Sequence, residues 1–208
     1  MRVGIAGYGV VGKTRHKSLE LNTSYKVTAI SESSVEARKS IPKGIDVFHD
    51  YKSLIADAKI DIVFISLPNQ FAAEASYLSL QKGLHVFCEK PPARTHAELL
   101  AVKEQSLKSP NLKLMYGFNH RFHLSVEEAK SIIDSNSLGR IINMKGVYGK
   151  SQMISFNQTD WRTSREAAGG GILLDQGIHM LDLIRYLSGE SFTQVFSFID
   201  NAFWNFDV

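Results

Sequence analysis

Residues 1–13 read MRVGIAGYGVVGK and place a glycine-rich turn directly after a short apolar run. We predict a buried strand over residues 2–6 and a helix over residues 10–22. The turn between them, residues 7–12, has the spacing G-x-G-x-x-G, which joins a strand to a helix in dinucleotide-binding domains. The sequence therefore predicts that the chain begins with such a domain.

Each glycine of this turn has its own expected task. Gly7 permits the tight turn, Gly9 lets the backbone approach a pyrophosphate, and Gly12 lets the helix pack closely on the strand. Val10 and Val11 open the helix, so their N–H groups complete the predicted pyrophosphate site. The other interpretation is a glycine turn that only connects a strand to a helix.

An acidic residue stands where such a domain binds the adenosine ribose. Residues 25–31 are predicted to form the second strand, and Glu32 and Ser33 follow it, with Glu32 20 residues beyond Gly12. A carboxylate there accepts hydrogen bonds from the ribose diol and repels a 2′-phosphate, which favours NAD over NADP. Ser31, Ser33 and Arg38 keep NADP open as the alternative.

Strand and helix patterns alternate along the rest of the first half of the chain. The predicted elements are short helical segments at 37–40 and 53–58, a strand at 61–67, a helix at 71–82, a strand at 84–88, a helix at 95–109 and a strand at 113–117. Alternating strands and helices predict an α/β fold with a doubly wound parallel sheet, here over residues 1–118.

The pattern changes in residues 119–208. We predict a helix at 125–135, a long strand at 140–148, a polar loop, a helix at 171–187 and a strand at 193–199. This order contains no further strand-helix-strand unit and indicates a second, α+β domain.

Composition restricts the class of protein. The chain has 208 residues, 44% of them hydrophobic and 22% charged, which is ordinary for a folded domain with part of a second one. The net charge of +3 is dispersed along the sequence, so we expect neither nucleic acid nor a membrane as a partner. Glycines and basic residues interrupt the N-terminal apolar run, so we expect no signal peptide. The single cysteine, Cys88, cannot form an internal disulfide, which favours a cytoplasmic location.

Two groups of residues are candidates for chemistry. Lys90 follows the fourth predicted strand, where it can donate a hydrogen bond to a substrate oxygen and stabilise negative charge there. Asp175 and His179 have the spacing that places two side chains on one face of a helix, and three glycines precede them. The alternatives are a solvated surface lysine and a structural histidine.

Three other histidines and the cysteine receive no catalytic task. His120 and His123 could be combined with Asp175 and His179 as metal ligands, but they come from separate segments without a recognised ligand spacing, so we expect no metal site. His16 is predicted to lie on a helix surface, and Cys88 to be buried in a strand.

Three segments together, GYGVVG, CEKPP and GGGILLDQGIH, resemble the glucose-fructose oxidoreductase, inositol dehydrogenase and MocA family of sugar and polyol oxidoreductases. The resemblance extends to three further segments: Pro68-Asn69, Gly117-Phe118-Asn119 with Arg121, and Trp161-Arg162. It implies a Rossmann domain that binds NAD or NADP, followed by a domain with an open, mainly antiparallel sheet.

The resemblance also implies roles for individual residues. Lys90 would hydrogen-bond to the reacting hydroxyl group, His179 would accept its proton, and Asp175 would position the substrate or assist the proton transfer. Hydride would then pass from the carbon of a sugar, nucleotide sugar or polyol to the nicotinamide ring. Further cofactor contacts are implied for Pro68, Asn69, Glu89, Lys90, Trp161 and Arg162.

The sequence departs from the family pattern at Ala72, where members commonly carry a histidine, and at its end. The chain stops at Val208, in what the resemblance implies is an early strand of the second sheet, so we expect a truncated α+β domain. A non-catalytic dinucleotide-binding or sensing protein, or a truncated inactive relative, is therefore the alternative to an enzyme. We expect the aromatic-rich stretch 196–208 to be buried against a second copy, as in a homo-oligomer such as a dimer or a tetramer, or else to cause aggregation.

Overall fold

The computed structural model describes residues 1–149 and 161–200 of the chain. The chain divides into two compact units, Met1–Gly117 and Phe118–Val208. None of the helices in the described part of the chain is long and apolar enough to cross a membrane.

Unit 1 contains a parallel sheet of six strands in the order β3-β2-β1-β4-β5-β6. This is the strand order of a Rossmann fold, and it confirms the predicted doubly wound sheet. The strands are β1 (Arg2–Ala6), β2 (Lys26–Ser31), β3 (Asp46–Phe48), β4 (Ile62–Ile65), β5 (His85–Cys88) and β6 (Leu114–Tyr116). The helices are α1 (Val10–Glu20), α2 (Val35–Arg38), α3 (Tyr51–Asp57), α4 (Asn69–Gln81) and α5 (His96–Leu107).

The central strand β1 determines where the site of this unit lies. Val3, Ile5 and Ala6 are fully buried, and β1 pairs with β2 on one side and β4 on the other. Ala6 lies opposite both Ser31 and Ile65, so the carboxyl ends of three strands meet at one edge of the sheet. The strands that follow β1 in the chain are added first on one side of it and then on the other. Such a switch point is where ligands bind in open α/β sheets.

Strand β3 is absent from the sequence prediction. It has only three residues, and Val47 is half exposed, so burial leaves little pattern in the sequence. Its backbone pairs with β2, and this pairing is what defines it as a strand.

Unit 2 is helical in its described part. A 3₁₀ turn (Asn119–Phe122) precedes α6 (Leu124–Asp134), and a second 3₁₀ turn (Trp161–Thr163) precedes α7 (Arg165–Ala168). A π-helical turn (Leu173–Gly177) then leads into α8 (Ile178–Ser188). The short helix α7 lies where the sequence predicted a polar loop.

The strands predicted at 140–148 and 193–199 are wrong, because residues 118–149 and 161–200 contain no strand. Apolar side chains in both segments are exposed, including Ile142 at 96% and Phe198 at 104%. A strand needs a neighbour to pair its backbone groups, and no such neighbour lies among the described residues of this unit. The open sheet predicted for the second domain is therefore not present in the part of unit 2 that the structure describes.

Candidate functional site

Two glycines of the turn after β1 are required by the backbone itself. Gly7 has φ +89°, and a Cβ atom on it would lie 2.5 Å from the carbonyl oxygen of Ser66. A Cβ atom on Gly12 would lie 2.1 Å from the carbonyl oxygen of Gly7. Side chains at these positions would force the strand, the turn and α1 apart.

Gly9 differs from the other two because, among the described residues and apart from its chain neighbours, no atom lies within 4 Å of its Cβ position. It is the N-cap of α1 and supplies no side-chain acceptor to the first N–H groups of that helix. Val10 and Val11, the first two residues of α1, are 85% and 44% exposed. Open space in front of the first N–H groups of α1, at the positive end of the helix dipole, fits a pyrophosphate group.

The carboxylate of Glu32 lies beside this turn. Its Oε2 accepts a hydrogen bond from the backbone N–H of Tyr8 at 2.9 Å, and its Oε1 accepts one from the N–H of Ser34 at 2.9 Å. Two N–H donors fix the carboxylate in one orientation while its remaining lone pairs can accept from a ribose diol. Ser33 is exposed in the same loop, and its carbonyl oxygen accepts from the Arg38 guanidinium at 3.5 Å.

Residues of two more segments lie at the same edge of the sheet, directly after β4 and β5. Pro68 is the N-cap of α4 and follows β4, and Asn69, the first residue of that helix, is buried. Glu89 and Lys90 follow β5, and both are half-buried. The predicted cofactor residues of unit 1 therefore all lie at the carboxyl ends of β1, β2, β4 and β5.

Glu89 is held by a residue of α1. The Nε of Arg15 donates to its Oε1 at 2.5 Å, and the Arg15 guanidinium lies 5.2 Å from the centroid of the Phe87 ring. A Cβ atom on Gly117, the residue after β6, would lie 2.7 Å from Oε2 of Glu89. The carboxylate thus fills the space between α1 and the end of β6, next to Lys90. The sequence contains no motif that points to Arg15.

His16, on the same helix, is not a surface residue as predicted. It is 5% exposed, and its Nδ1 forms a hydrogen bond with the hydroxyl group of Tyr8 at 2.6 Å. Because polar groups on α1 can pair with the turn, the hydrophobic pattern of the helix does not reveal that this face is buried. Cys88 is fully buried in β5, as predicted, and this burial raises the pKa of its thiol to about 12.

The candidate catalytic residues of unit 2 lie on different kinds of helix. Asp175 belongs to the π-helical turn, where its Oδ2 accepts from Nε2 of Gln176 at 2.9 Å. His179 is the second residue of α8 and is 5% exposed. The predicted regular helix from residue 171 is therefore interrupted at Asp175. Such single π turns occur frequently at functional sites.

Aromatic rings surround His179. The ring centroid of His120 lies 4.0 Å away with the two planes 13° apart, and that of Tyr148 lies 6.0 Å away at 20°. Phe118 contacts His179 edge to face, with the centroids 6.3 Å apart. Sequence reasoning grouped His120 with His179 only as an unlikely metal site and missed Phe118 and Tyr148, because residues 118, 120, 148 and 179 meet only through the fold of unit 2.

Trp161 and Arg162 occupy the 3₁₀ turn before α7. The guanidinium carbon of Arg162 lies 4.4 Å from the centroid of the Trp161 ring, in a cation–π contact. Lys90 belongs to unit 1, whereas Asp175, His179, Trp161 and Arg162 belong to unit 2. Their assembly into one site stays a prediction. In residues 1–149 and 161–200, no group of three acidic, histidine or cysteine side chains could hold a metal ion.

Family models match both halves of the chain. The model described as an oxidoreductase family with an NAD-binding Rossmann fold matches residues 1–118. The model described as a GFO/IDH/MocA C-terminal domain matches residues 126–208.

Individual relatives are dehydrogenases of sugars and polyols. Levoglucosan dehydrogenase from Pseudarthrobacter phenanthrenivorans is 31% identical over 202 residues, which cover 91% of this chain and 52% of that protein. The structure of myo-inositol 2-dehydrogenase from Lactobacillus plantarum superposes with a TM-score of 0.81 at 32% identity, covering 91% of this chain and 56% of that one. The structure of scyllo-inositol dehydrogenase from Lactobacillus casei, with bound NAD(H) and scyllo-inositol, gives a TM-score of 0.76 at 28% identity, covering 91% and 56%. The chain spans about half the length of the curated relatives it matches.

Proposed function

Because the chain belongs to the GFO/IDH/MocA family of NAD-binding oxidoreductases, we propose that it transfers a hydride between a nicotinamide cofactor and a sugar, a nucleotide sugar or a polyol. The reacting group would be a hydroxyl in one direction and a carbonyl in the other. The relatives that support this substrate class are a levoglucosan dehydrogenase and two inositol dehydrogenases.

One observation carries the cofactor part of the proposal. The Glu32 carboxylate is fixed by the N–H of Tyr8 at 2.9 Å, inside the glycine turn and at the switch point of the sheet. A site built this way binds the diphosphate at α1 and the ribose at Glu32. The charge of Glu32 opposes a 2′-phosphate, so we propose NAD as the cofactor in preference to NADP.

The chemical step is assigned to Lys90, His179 and Asp175. The Lys90 ammonium donates a hydrogen bond to the reacting oxygen and stabilises the negative charge that develops there. The His179 imidazole accepts the hydroxyl proton, and Asp175 positions the substrate or assists the proton transfer. A bound nicotinamide cofactor would supply the acceptor for the hydride that leaves the carbon of the reacting hydroxyl group.

The test is cofactor reduction by the full chain. We expect a rise in the absorbance of reduced nicotinamide when NAD is mixed with myo-inositol or levoglucosan as the probe. Lys90→Met and His179→Ala should each lower kcat by about 100-fold or more, since positioned acid–base groups contribute on that scale. Lys103→Met, an exposed change on α5, is the matched control. Unchanged turnover in Lys90→Met or His179→Ala would contradict the assigned roles.

A non-catalytic dinucleotide-binding protein is the second candidate. It is supported by unit 2, whose described residues form no sheet that could wall a substrate pocket. This candidate predicts that NAD binds with measurable heat while none of the probes reduces it. Heat release together with reduction would select the enzyme instead.

We propose further that the protein is cytoplasmic and that copies of this chain associate with one another. Val195, Phe196, Phe198 and Ile199 are 79% to 104% exposed, which is costly in water. The remainder of the aromatic stretch, residues 201–208, lies outside the described residues. Light scattering should give a mass above that of one chain, and a monomer with Phe198 open to solvent would contradict the association.

A further inference from the structure

Unit 2 brings the 3₁₀ turn Asn119–Phe122 against helix α8 at two adjacent points. The first is the ring stack of His120 on His179, with centroids 4.0 Å apart and planes at 13°. The second is the ion pair of Arg121 with Asp182, in which Arg121 Nε donates to Oδ2 at 2.7 Å and a second bond joins Nη2 to Oδ1. His120 and Arg121, which are consecutive in the turn, therefore contact two residues of α8 that are three positions apart. Those two residues, His179 and Asp182, lie on one face of the helix.

The ion pair fixes where the His120 ring can lie. A two-pronged contact between a guanidinium and a carboxylate sets both distance and orientation. The side chain of Asp182 is only 10% exposed, and the Arg121 guanidinium also lies 5.1 Å from the centroid of the Tyr186 ring on the same helix. The turn can hardly slide along α8 without breaking this contact.

A third ring, that of Tyr148, lies beside this stack. The Tyr148 centroid lies 5.7 Å from that of His120, with the planes 17° apart. Close by, a Cβ atom on Gly146 would lie 3.1 Å from Sδ of Met180, so the segment that carries Tyr148 runs close against α8. The Tyr148 centroid is also 6.0 Å from that of His179, so Tyr148 flanks both histidine rings and limits their movement on one side.

We propose that His120 is a positioning residue: its ring, clamped by Arg121 and Asp182, holds the His179 imidazole in one orientation. The proposal rests on the assignment of His179 as the general base. A base must direct one ring nitrogen at the proton that it accepts, and a misplacement of about 1 Å can cost about 100-fold in rate. Parallel rings touch through their faces, so His120 acts on the orientation of His179 and does not pass it a proton.

The first experiment uses the unaltered chain. With ¹³C-labelled histidine, the His179 ring protons should show the upfield shift of a stacked ring and nuclear Overhauser contacts to the His120 ring. His179→Ala identifies the signals by their loss. A His179 ring without contacts to His120 would overturn the proposal, whether or not any substrate turns over.

Two substitutions at residue 120 distinguish the effect of the aromatic ring from the effect of its nitrogen atoms. His120→Phe keeps an aromatic face, whereas His120→Gln keeps polarity and removes the ring. In His120→Gln we expect the His179 signals to lose their upfield shift, and in His120→Phe we expect them to keep it. With myo-inositol or levoglucosan as the probe, kcat should fall about 10- to 100-fold in His120→Gln, with KM and the Kd for NAD within about 2-fold.

His96→Gln is the matched control, since His96 is exposed at the start of α5 in unit 1. Equal damage in His120→Phe and His120→Gln would assign the effect to the ring nitrogens and overturn the proposal. So would an unchanged His179 signal in His120→Gln. Failure of the proposed function is distinguishable from both, because it appears as full turnover in His179→Ala or as no reduction of NAD by the unaltered chain, whereas the ring contacts are measured without turnover.

Discussion

The hydroxyl group of Tyr8 lies 2.6 Å from Nδ1 of His16, and the two residues are 4% and 5% exposed. This hydrogen bond joins the glycine turn to the body of α1, and burial raises the pKa of the Tyr8 phenol. Tyr8→Phe removes one partner and leaves the other polar group buried without it. We expect the free energy of unfolding in urea to fall by about 1–3 kcal/mol.

Tyr25→Phe is the control for this change, because Tyr25 packs against the same apolar cluster as Tyr8. It should leave the urea midpoint within the error of the wild type. A Tyr8→Phe protein as stable as Tyr25→Phe would show that the buried hydrogen bond contributes nothing.

Much of unit 1 could be predicted from sequence because its signals are local. An apolar run followed by G-x-G-x-x-G determines β1, the turn and α1, and the acid at residue 32 follows from the length of one strand-helix-strand unit. The doubly wound parallel sheet follows because strands that alternate with helices pack in few arrangements, although the short strand β3 left no pattern.

The remainder depends on contacts between residues that are distant in sequence. His16 is polar, so its burial becomes predictable only with the knowledge that Tyr8 faces it. Residues 140–148 carry a strand pattern, but a pattern cannot supply the neighbouring strand that pairs with it. The stack of His120 on His179 joins residues 59 apart, and no spacing rule connects them.

Gly9 and Gly12 belong to one motif, but replacing each with alanine should have different effects. In Gly9→Ala the added methyl meets no described residue outside the turn, so we expect only the small loss of thermal stability that alanine causes at an N-cap, but at least about 10-fold weaker NAD binding, because the methyl occupies the pyrophosphate space. In Gly12→Ala the methyl meets the Gly7 carbonyl oxygen, so we expect lost stability as well. Thermal unfolding and calorimetric NAD titration measure both effects. Equal loss of stability in the two variants would contradict this division.

Glu32 should determine the choice between the two cofactors. In Glu32→Ala, the Kd for NAD should rise about 10-fold or more, because hydrogen bonds to a charged group contribute about 1.5–3 kcal/mol. The Kd for NADP should fall, because the repulsion of its 2′-phosphate is removed. Calorimetry with both cofactors measures the ratio of the two constants. Glu36→Ala, an exposed change on α2, should leave this ratio unaltered. A constant ratio in Glu32→Ala would refute the role of the carboxylate.

The ion pair of Arg15 with Glu89 should stabilise unit 1. The two side chains are 26% and 16% exposed, so Arg15→Met leaves a carboxylate in a largely buried position without its cation. We expect the free energy of unfolding to fall by about 1–3 kcal/mol, measured by urea unfolding. Lys17→Met, an exposed change on the same helix, should have no measurable effect. Equal stability of the two variants would show that the ion pair does not stabilise unit 1.

The contact between Arg2 and Asp61 should make stability depend on pH in acid. The side-chain and backbone hydrogen bonds from Arg2 lower the pKa of Asp61 to about 2 from its ordinary 3.8. A carboxyl group with a lower pKa in the folded state contributes stability above pH 3.8, and this contribution is lost as the pH falls through about 2. The pair is largely exposed, so the effect is modest. We expect Asp61→Asn to flatten the fall of Tm between pH 4 and pH 2, whereas Asp57→Asn, an exposed change at the end of α3, should retain it. A slope in Asp61→Asn equal to that of the wild type would show that this carboxylate has the same pKa in the folded and unfolded chain.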